Sequence, residues 1–176
     1  MIWRCKESEY KAIFGIINDA AQAYKGVIPE DCWDEPYMSF EKLRQEIADG
    51  VVFWGLEQGG RLLGVMGIQD KGDVALIRHA YVSTQAQKLG IGTELLRHLE
   101  GMTEKPILIG TWAASIWAIS FYEKNRYTLL SQAEKNRLLK KYWSIPERQV
   151  ETSVVLANQA WLKARRGTDR TNRSVE

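Results

Sequence analysis

Cysteine is nearly absent from this chain, which removes two common ways of holding a small protein together. Cys5 and Cys32 stand alone, without C-x-x-C spacing and too few to frame a disulfide scaffold. Cys5 therefore reads as a small buried hydrophobe, and no metal is expected. Histidine is as sparse, so His79 and His98 are the two imidazoles available as bases. No Gly-x-Ser-x-Gly elbow occurs, which excludes the usual serine-nucleophile hydrolases. No apolar run approaches the roughly 18–20 residues of a membrane span. The start, Met1 to Lys6, leads straight into strand-like sequence without the pattern of a secretion signal. A soluble, cytoplasmic protein with no membrane partner is expected.

Net charge is also small. The formal +2 conceals a split: Lys163, Arg165, Arg166, Arg170 and Arg173 against Asp169 and Glu176 give residues 157–176 a charge of +3, leaving the body near −1. A near-neutral body does not offer the basic surface that nucleic acid binding needs, so no nucleic-acid partner is expected. The end of this tail lacks apolar periodicity. Residues 158–176 are read as a basic, disordered extension of one ordered domain over residues 1–157.

What the chain does contain is an alternation of strand and helix periods. The pattern predicts a strand over residues 2–6, then a helix over 9–23 capped by Ser8, with Ile13, Ile16, Ile17 and Ala20 on one face. A loop punctuated by Gly26, Pro29 and Pro36 follows. Ser39 caps a second helix through residue 48, with Glu41 and Glu46 on its polar side. Residues 51–57 and 61–68 form a hairpin around Gly59 and Gly60. A turn at residues 70–73 leads to a strand over 74–82. Leu95, Leu96, Leu99 and Met102 have the core spacing of a further helix. A strand over 107–111, a helix over 115–124, a strand near 127–130, a helix over 134–143 and a strand over 148–156 complete an α/β sheet domain.

The most specific stretch runs from Val82 to Thr93, where a strand end enters a polar, glycine-bearing loop that opens directly onto a helix. Unpaired N–H groups at a helix N-terminus carry partial positive charge and stabilise a phosphate without a metal. Gly90 and Gly92 let the backbone approach the anion and adopt the positive φ that an anion nest requires.

Gln87, Gly90 and Gly92 match a Gln/Arg-x-x-Gly-x-Gly/Ala signature. Some 30 residues later comes a second segment, Trp117 to Tyr127: small and apolar residues, then Phe121, Tyr122, Glu123 and Lys124, then a turn and an aromatic. The two in this order resemble the signatures of the GNAT superfamily of acyl-CoA N-acyltransferases, and the order of elements agrees from about residue 2 to 156. The resemblance implies a single domain with a mixed, mostly antiparallel sheet of six to seven strands, a central parallel pair splayed apart, and four to five flanking helices. It implies acetyl-CoA as acyl donor, with no metal. Backbone groups of Ala80, Tyr81 and Val82, on a strand that carries a bulge in relatives, would pair with the pantetheine arm. The backbone of Gln87, Lys88, Leu89, Gly90, Ile91 and Gly92, with the Thr93 hydroxyl, would hold the pyrophosphate. Ser115 falls where relatives often place a cofactor-touching asparagine. Arg126 stands at a usual glycine, so Asn125 is expected to take the left-handed turn.

The implied chemistry is direct attack of an amine on a thioester, which needs no covalent nucleophile. A backbone N–H at the bulge would meet the oxyanion. Tyr122, with an ordinary phenol pKa of roughly 10, would protonate the leaving thiolate. His79 is the candidate base, although strict alternation from Val82 puts Leu76 and Arg78, not His79, toward the acceptor, and a water relay is an alternative. Arg78 either binds an acidic group on the acceptor or pairs with a carboxylate at the core rim. In this superfamily the first two helices and their loop cover the acceptor, which draws in Tyr24, Trp33 and Tyr37; Trp112 adds a further aromatic, and ordinary loop packing is the competing reading. Partners are then a small-molecule or peptide amine, with a homodimer allowed. The competing function is a catalytically silent acyl-CoA sensor, favoured by the missing acid on the key strand.

Overall fold

In a computed structural model of the chain, residues 1–172 are described, with side chains through Arg165. The chain divides into two compact units, one of Met1–Asp70 and Leu76–Glu104, the other of Lys71–Ala75 and the chain from Lys105 onward.

The first unit contains β1 (Ile2–Arg4), α1 (Tyr10–Ala21), α2 (Phe40–Ala48), β2 (Val52–Gln58), β3 (Arg61–Asp70), β4 (Ala75–Val82, its first residue assigned to the second unit) and α3 (Ile91–Glu100). β1 and β2, and β2 and β3, pair antiparallel. The predicted hairpin turns at Gly59 and Gly60, both at positive φ (61° and 75°), the twist that a two-residue hairpin loop needs. The apolar stripe of α1 is buried as the spacing requires: Ile13, Ile16 and Ile17 pack with Met38, Leu43, Phe53 and Val65 in one core. Ser39 does cap α2, its hydroxyl accepting from the Lys42 N–H at 3.1 Å.

Ser8 is not the cap of α1. It lies inside a 3-10 turn, Glu7–Glu9, whose Glu9 carboxylate accepts from the Lys6 N–H at 2.7 Å and the Trp3 indole at 2.8 Å. Met102 also leaves the expected core, because α3 ends at Glu100 and the methionine lies exposed beyond it.

The second unit contains β5 (Ile107–Trp112), α4 (Ile116–Lys124), β6 (Thr128–Leu129), α5 (Gln132–Tyr142), α6 (Glu147–Glu151), β7 (Ser153–Ala157) and α7 (Gln159–Asn172). β7 pairs antiparallel with both β5 and β6. Through the seven strands the order is β1-β2-β3-β4-β5-β7-β6, a mixed sheet of the α/β class.

The described residues hold seven α-helices rather than four or five, and the two unexpected ones have local causes. Residues 148–151 read as the start of a strand over 148–156 because polar and apolar side chains alternate. Pro146 at the N-cap with Glu147 behind it starts a helix instead, and the buried Lys135 ammonium donates to the Val150 carbonyl at its C-terminus. The segment from Gln159 to Asn172, expected to lack regular structure, is helical. Asn158 accepts from the Trp161 N–H at 3.2 Å and the Ile107 N–H at 3.1 Å, which starts the helix and ties it to β5, and Arg165 pairs with Glu134. Residues 173–176, with Arg173 and Glu176, lie outside the described ones. The left-handed turn after α4 falls on Arg126 (φ 69°), not Asn125. The Asn125 amide instead donates back to the Phe121 carbonyl at 2.8 Å, which holds it near the helical region.

Gly67 on β3 is a point of close approach. A Cβ there would come within 2.9 Å of the Arg78 carbonyl oxygen and 2.7 Å of the Val51 side chain. Val51 can yield, but the β4 backbone cannot without moving the residues beside it. Gly67→Ala is expected to cost about 1–3 kcal/mol, read as a lower denaturant midpoint with an unchanged slope.

Candidate active site

β4 departs from regular alternation at one residue. His79 adopts φ 52°, a left-handed conformation that costs a side-chain-bearing residue about 1–2 kcal/mol. Consecutive side chains on a strand ordinarily point to opposite faces, yet Arg78 and His79 converge on one carboxylate. Arg78 Nη2 lies 2.9 Å and His79 Nε2 3.3 Å from the same oxygen, Oε2 of Glu46 on α2. This is the phase shift that brings His79 to the side of Arg78, where unbroken alternation excluded it.

The cluster is largely buried, each of the three side chains being 13–16% exposed. Arg78 Nη1 also donates to Gln69 Oε1 at 3.0 Å, and Gln69 Nε2 to the Asp49 carbonyl at 2.8 Å. His79 stacks on Phe53, with ring centroids 5.9 Å apart. Burial lowers the His79 pKa, and Arg78 and Lys42 add to that, while Glu46 opposes it; the net direction is downward, toward neutral imidazole. Burial pushes the Glu46 carboxyl up, but His79, Arg78 and Lys42 outweigh it and hold it below the ordinary range. Arg78 is thus committed to a carboxylate at the core rim, one of the two fates open to it.

Glu46 escaped the sequence reading, which set it on the polar side of its helix. The signal was there: it lies three residues from Leu43, which is fully buried, and residues three apart share a helix face.

At the other end of β4, Ala80, Tyr81 and Val82 lead into the loop. Asp19 on α1 anchors that junction: its carboxylate accepts from the Thr84 N–H at 2.8 Å, the Thr84 hydroxyl at 2.9 Å and the Ser83 hydroxyl at 3.3 Å. Gln87, Lys88, Leu89 and Gly90 are exposed, and positive φ falls on Lys88 (65°) and Gly90 (81°). Gly90 is the N-cap of α3, and no side chain caps the first turn. The Ile91 side chain is buried beneath, meeting the space over Gly64, while Gly92 and Thr93 are half-buried. The first-turn N–H groups therefore have neither an intrahelical acceptor nor a capping side chain, which is the arrangement that receives phosphate oxygens. Asp19→Ala is expected to weaken acetyl-CoA binding roughly 3- to 10-fold by freeing the loop entrance, from about 1 kcal/mol lost with a charge-assisted bond, read by calorimetry.

The aromatics expected to cover the acceptor are brought together. Trp33 lies 5.6 Å from Tyr37, Tyr37 5.4 Å from Tyr24, and Tyr24 6.3 Å from Tyr81, centroid to centroid. Tyr81, expected to contribute backbone groups, thus also closes this aromatic row with its ring. Its burial, with Tyr37 and Tyr24 beside it, holds its phenol well above the ordinary pKa, hence neutral. Lys25 lies over the Trp33 ring at 5.7 Å and pairs with Glu35 at 3.1 Å. Asn18 of α1 secures the loop, its side chain bonding both the N–H and the carbonyl of Met38 at 2.9 Å. Cys5 is half-buried rather than buried, and burial, with Glu9 adding to it, pushes its thiol up to about 12, away from the reactive thiolate.

In the second unit Tyr122 is buried on α4, edge-on to Phe121 at 5.0 Å and to Tyr127 at 6.1 Å. Ser115, expected beside the cofactor, is fully buried. Its hydroxyl donates to the Trp112 carbonyl at 2.7 Å and lies 3.1 Å from the Thr111 hydroxyl, which makes it a holder of the turn before α4. Trp112 is buried on β5.

β4 thus carries one left-handed residue and leads through a loop with two more to a helix N-terminus without a side-chain cap, on a mixed α/β sheet. Residues 16–138 match the family described as acetyltransferase (GNAT) domain, and the chain belongs to that family. No curated protein matches the sequence. Among solved structures, it is similar to the PaiA N-acetyltransferase of Thermoplasma acidophilum in complex with coenzyme A, at 18% identity and a TM-score of 0.67 over 90% of this chain and 97% of that one. A GNAT-family acetyltransferase of Staphylococcus aureus shares 17% identity and a TM-score of 0.66 over 90% and 97%. The ribosomal-protein-S18-alanine N-acetyltransferase of Escherichia coli shares 17% identity and a TM-score of 0.63 over 90% and 92%. At these identities the likeness is one of fold. Among the described residues, no helix is long and apolar enough to cross a membrane.

Proposed function

We propose that this chain transfers an acetyl group from acetyl-CoA to a primary amine of a small molecule or peptide, acting in the cytoplasm. The observation that carries the reading is the uncapped N-terminus of α3, opened by a left-handed Gly90 in the loop that follows β4, in a chain of the GNAT family. Coenzyme A in the Thermoplasma relative and an alanine acceptor in the Escherichia coli relative support donor and acceptor class.

In this reading the backbone of residues 87–92 and the Thr93 hydroxyl hold the pyrophosphate, and Ala80 to Val82 align the pantetheine arm. The row of Tyr24, Trp33 and Tyr37 receives the acceptor, its ring faces suited to an alkylammonium. An alkylamine has a pKa of about 10.4 and is almost wholly protonated at neutral pH, so it first gives a proton to His79. Its nitrogen lone pair then attacks the thioester carbon, a backbone N–H beside the irregular residue of β4 receives the oxyanion, the C–S bond breaks, and the Tyr122 phenol protonates the departing thiolate; the new amide nitrogen gives up its surplus proton through water to the tyrosinate, which restores the phenol.

The test is calorimetric titration with acetyl-CoA, with desulfo-CoA and ATP as comparisons, followed by an amine panel with thiol detection. Saturable micromolar binding of the CoA compounds over ATP, with amine-dependent thiol release, supports the reading. Binding without thiol release replaces it with a silent acyl-CoA binder, and no binding withdraws it.

A further inference from the structure

Proton removal from the acceptor needs a base of defined tautomer, and a histidine with two interchangeable nitrogens supplies one only if something fixes which nitrogen carries hydrogen. On β4 no acid does this; α2 brings one. We propose that Glu46 is a positioning residue for the acetyl transfer, holding His79 with hydrogen on Nε2 so that Nδ1 presents the lone pair that takes the proton of the acceptor ammonium. This rests on the acetyltransferase reading above.

Three observations carry it. The first is the strained φ of His79, which spends backbone energy to turn this one ring toward α2, and strain of that kind persists where the surroundings over-determine it. The second is the sharing of a single Glu46 oxygen. Arg78 holds Oε2 at 2.9 Å, so the carboxylate is fixed by a cation that stays charged, and His79 Nε2 meets that same oxygen at 3.3 Å. A neutral imidazole cannot set a lone pair against a carboxylate, so hydrogen belongs on Nε2. The third is the looseness of the contact: Nε2 is buried and lacks an aligned hydrogen bond. When Nδ1 gains the acceptor's proton, the ring becomes imidazolium, and the off-line contact becomes a charge-assisted bond that strengthens as the charge develops. The proton later leaves from Nδ1 to water, which restores the pair.

The charged groups facing His79 are Glu46 and Lys42 from α2 and Arg78 from its own strand; Phe53 from β2 is uncharged. Glu46 is the member of this set that favours the protonated ring, so losing its charge weakens the base.

The ring tautomer can be read without any turnover, because the chain has two histidines and His98, set against the Trp54 ring at 4.8 Å, is the internal reference. Imidazole nitrogen NMR of the wild-type protein above neutral pH should show His79 with hydrogen on Nε2; hydrogen on Nδ1 overturns the proposal. Glu46→Gln should lower kcat about tenfold, leave the KM for acetyl-CoA within about twofold, and move the acid limb of kcat/KM about one pH unit lower. Adding Glu46→Gln to His79→Gln should cost nothing further, since the carboxylate acts through the ring. A Glu46→Gln variant with a lower melting temperature but the wild-type pH profile makes Glu46 a structural latch and overturns the proposal. A wild-type protein that acetylates no amine overturns the acetyltransferase reading and the role of Glu46 in it; turnover in the wild type that Glu46→Gln leaves unchanged overturns the role alone.

Discussion

Gly90→Glu should abolish acetyl-CoA binding, with at least about a hundredfold loss of affinity by calorimetry, equivalent to roughly 2.7 kcal/mol. Two effects add at this position. Gly90 has φ 81° and no heavy atom crowds the place a Cβ would take, so the steric room is there but the conformation penalises any side chain by about 1–2 kcal/mol. The larger effect is electrostatic: a carboxylate beside the uncapped first turn of α3 would occupy the N–H donors that would receive the pyrophosphate and repel it. Gly90→Ala separates the two. It carries the conformational penalty alone and should lose only about 5- to 10-fold. Equal affinity in Gly90→Glu and wild type would mean that the loop is an ordinary strand-to-helix connection.

Tyr122→Phe should lower kcat by about 10²- to 10⁴-fold, the range for a positioned general acid, while the dissociation constant for CoA moves less than about threefold. The ring is buried and wedged edge-on between Phe121 and Tyr127, and phenylalanine keeps that shape. The substitution therefore removes a hydroxyl and little packing, and a fall in kcat without a matching loss of CoA affinity identifies a group used in the transition state. Turnover equal to wild type would return Tyr122 to a packing role and leave the leaving thiolate to be protonated by water.

The elements were legible where their causes are local. The cap of α2 at Ser39, the Gly59–Gly60 turn, the buried stripe of α1 and the glycine loop before α3 each rest on residues within a few positions of one another, so period and composition sufficed. The misreadings were local competitions that a single sequence does not weigh. Pro146 with Glu147 overrode an alternating strand pattern, the side-chain bond of Asn125 passed the left-handed turn to Arg126, and Asn158 started a helix where charge and polarity suggested none.

The candidate site divides along the same line. The sequence by itself determined the family, the glycine loop before α3 and the aromatic character of the loop between α1 and α2, because each is written in a contiguous stretch whose backbone or side chains act together. Only the tertiary structure decided which polar groups meet β4 and the loop after it. Asp19 reaches Thr84 across 65 residues, and Glu46 reaches His79 from another helix only because one left-handed residue shifts the phase of β4. Strand alternation has a period of two, so a single irregular residue reverses which side chains share a face, and the periodicity of the sequence carries no mark of where that happens.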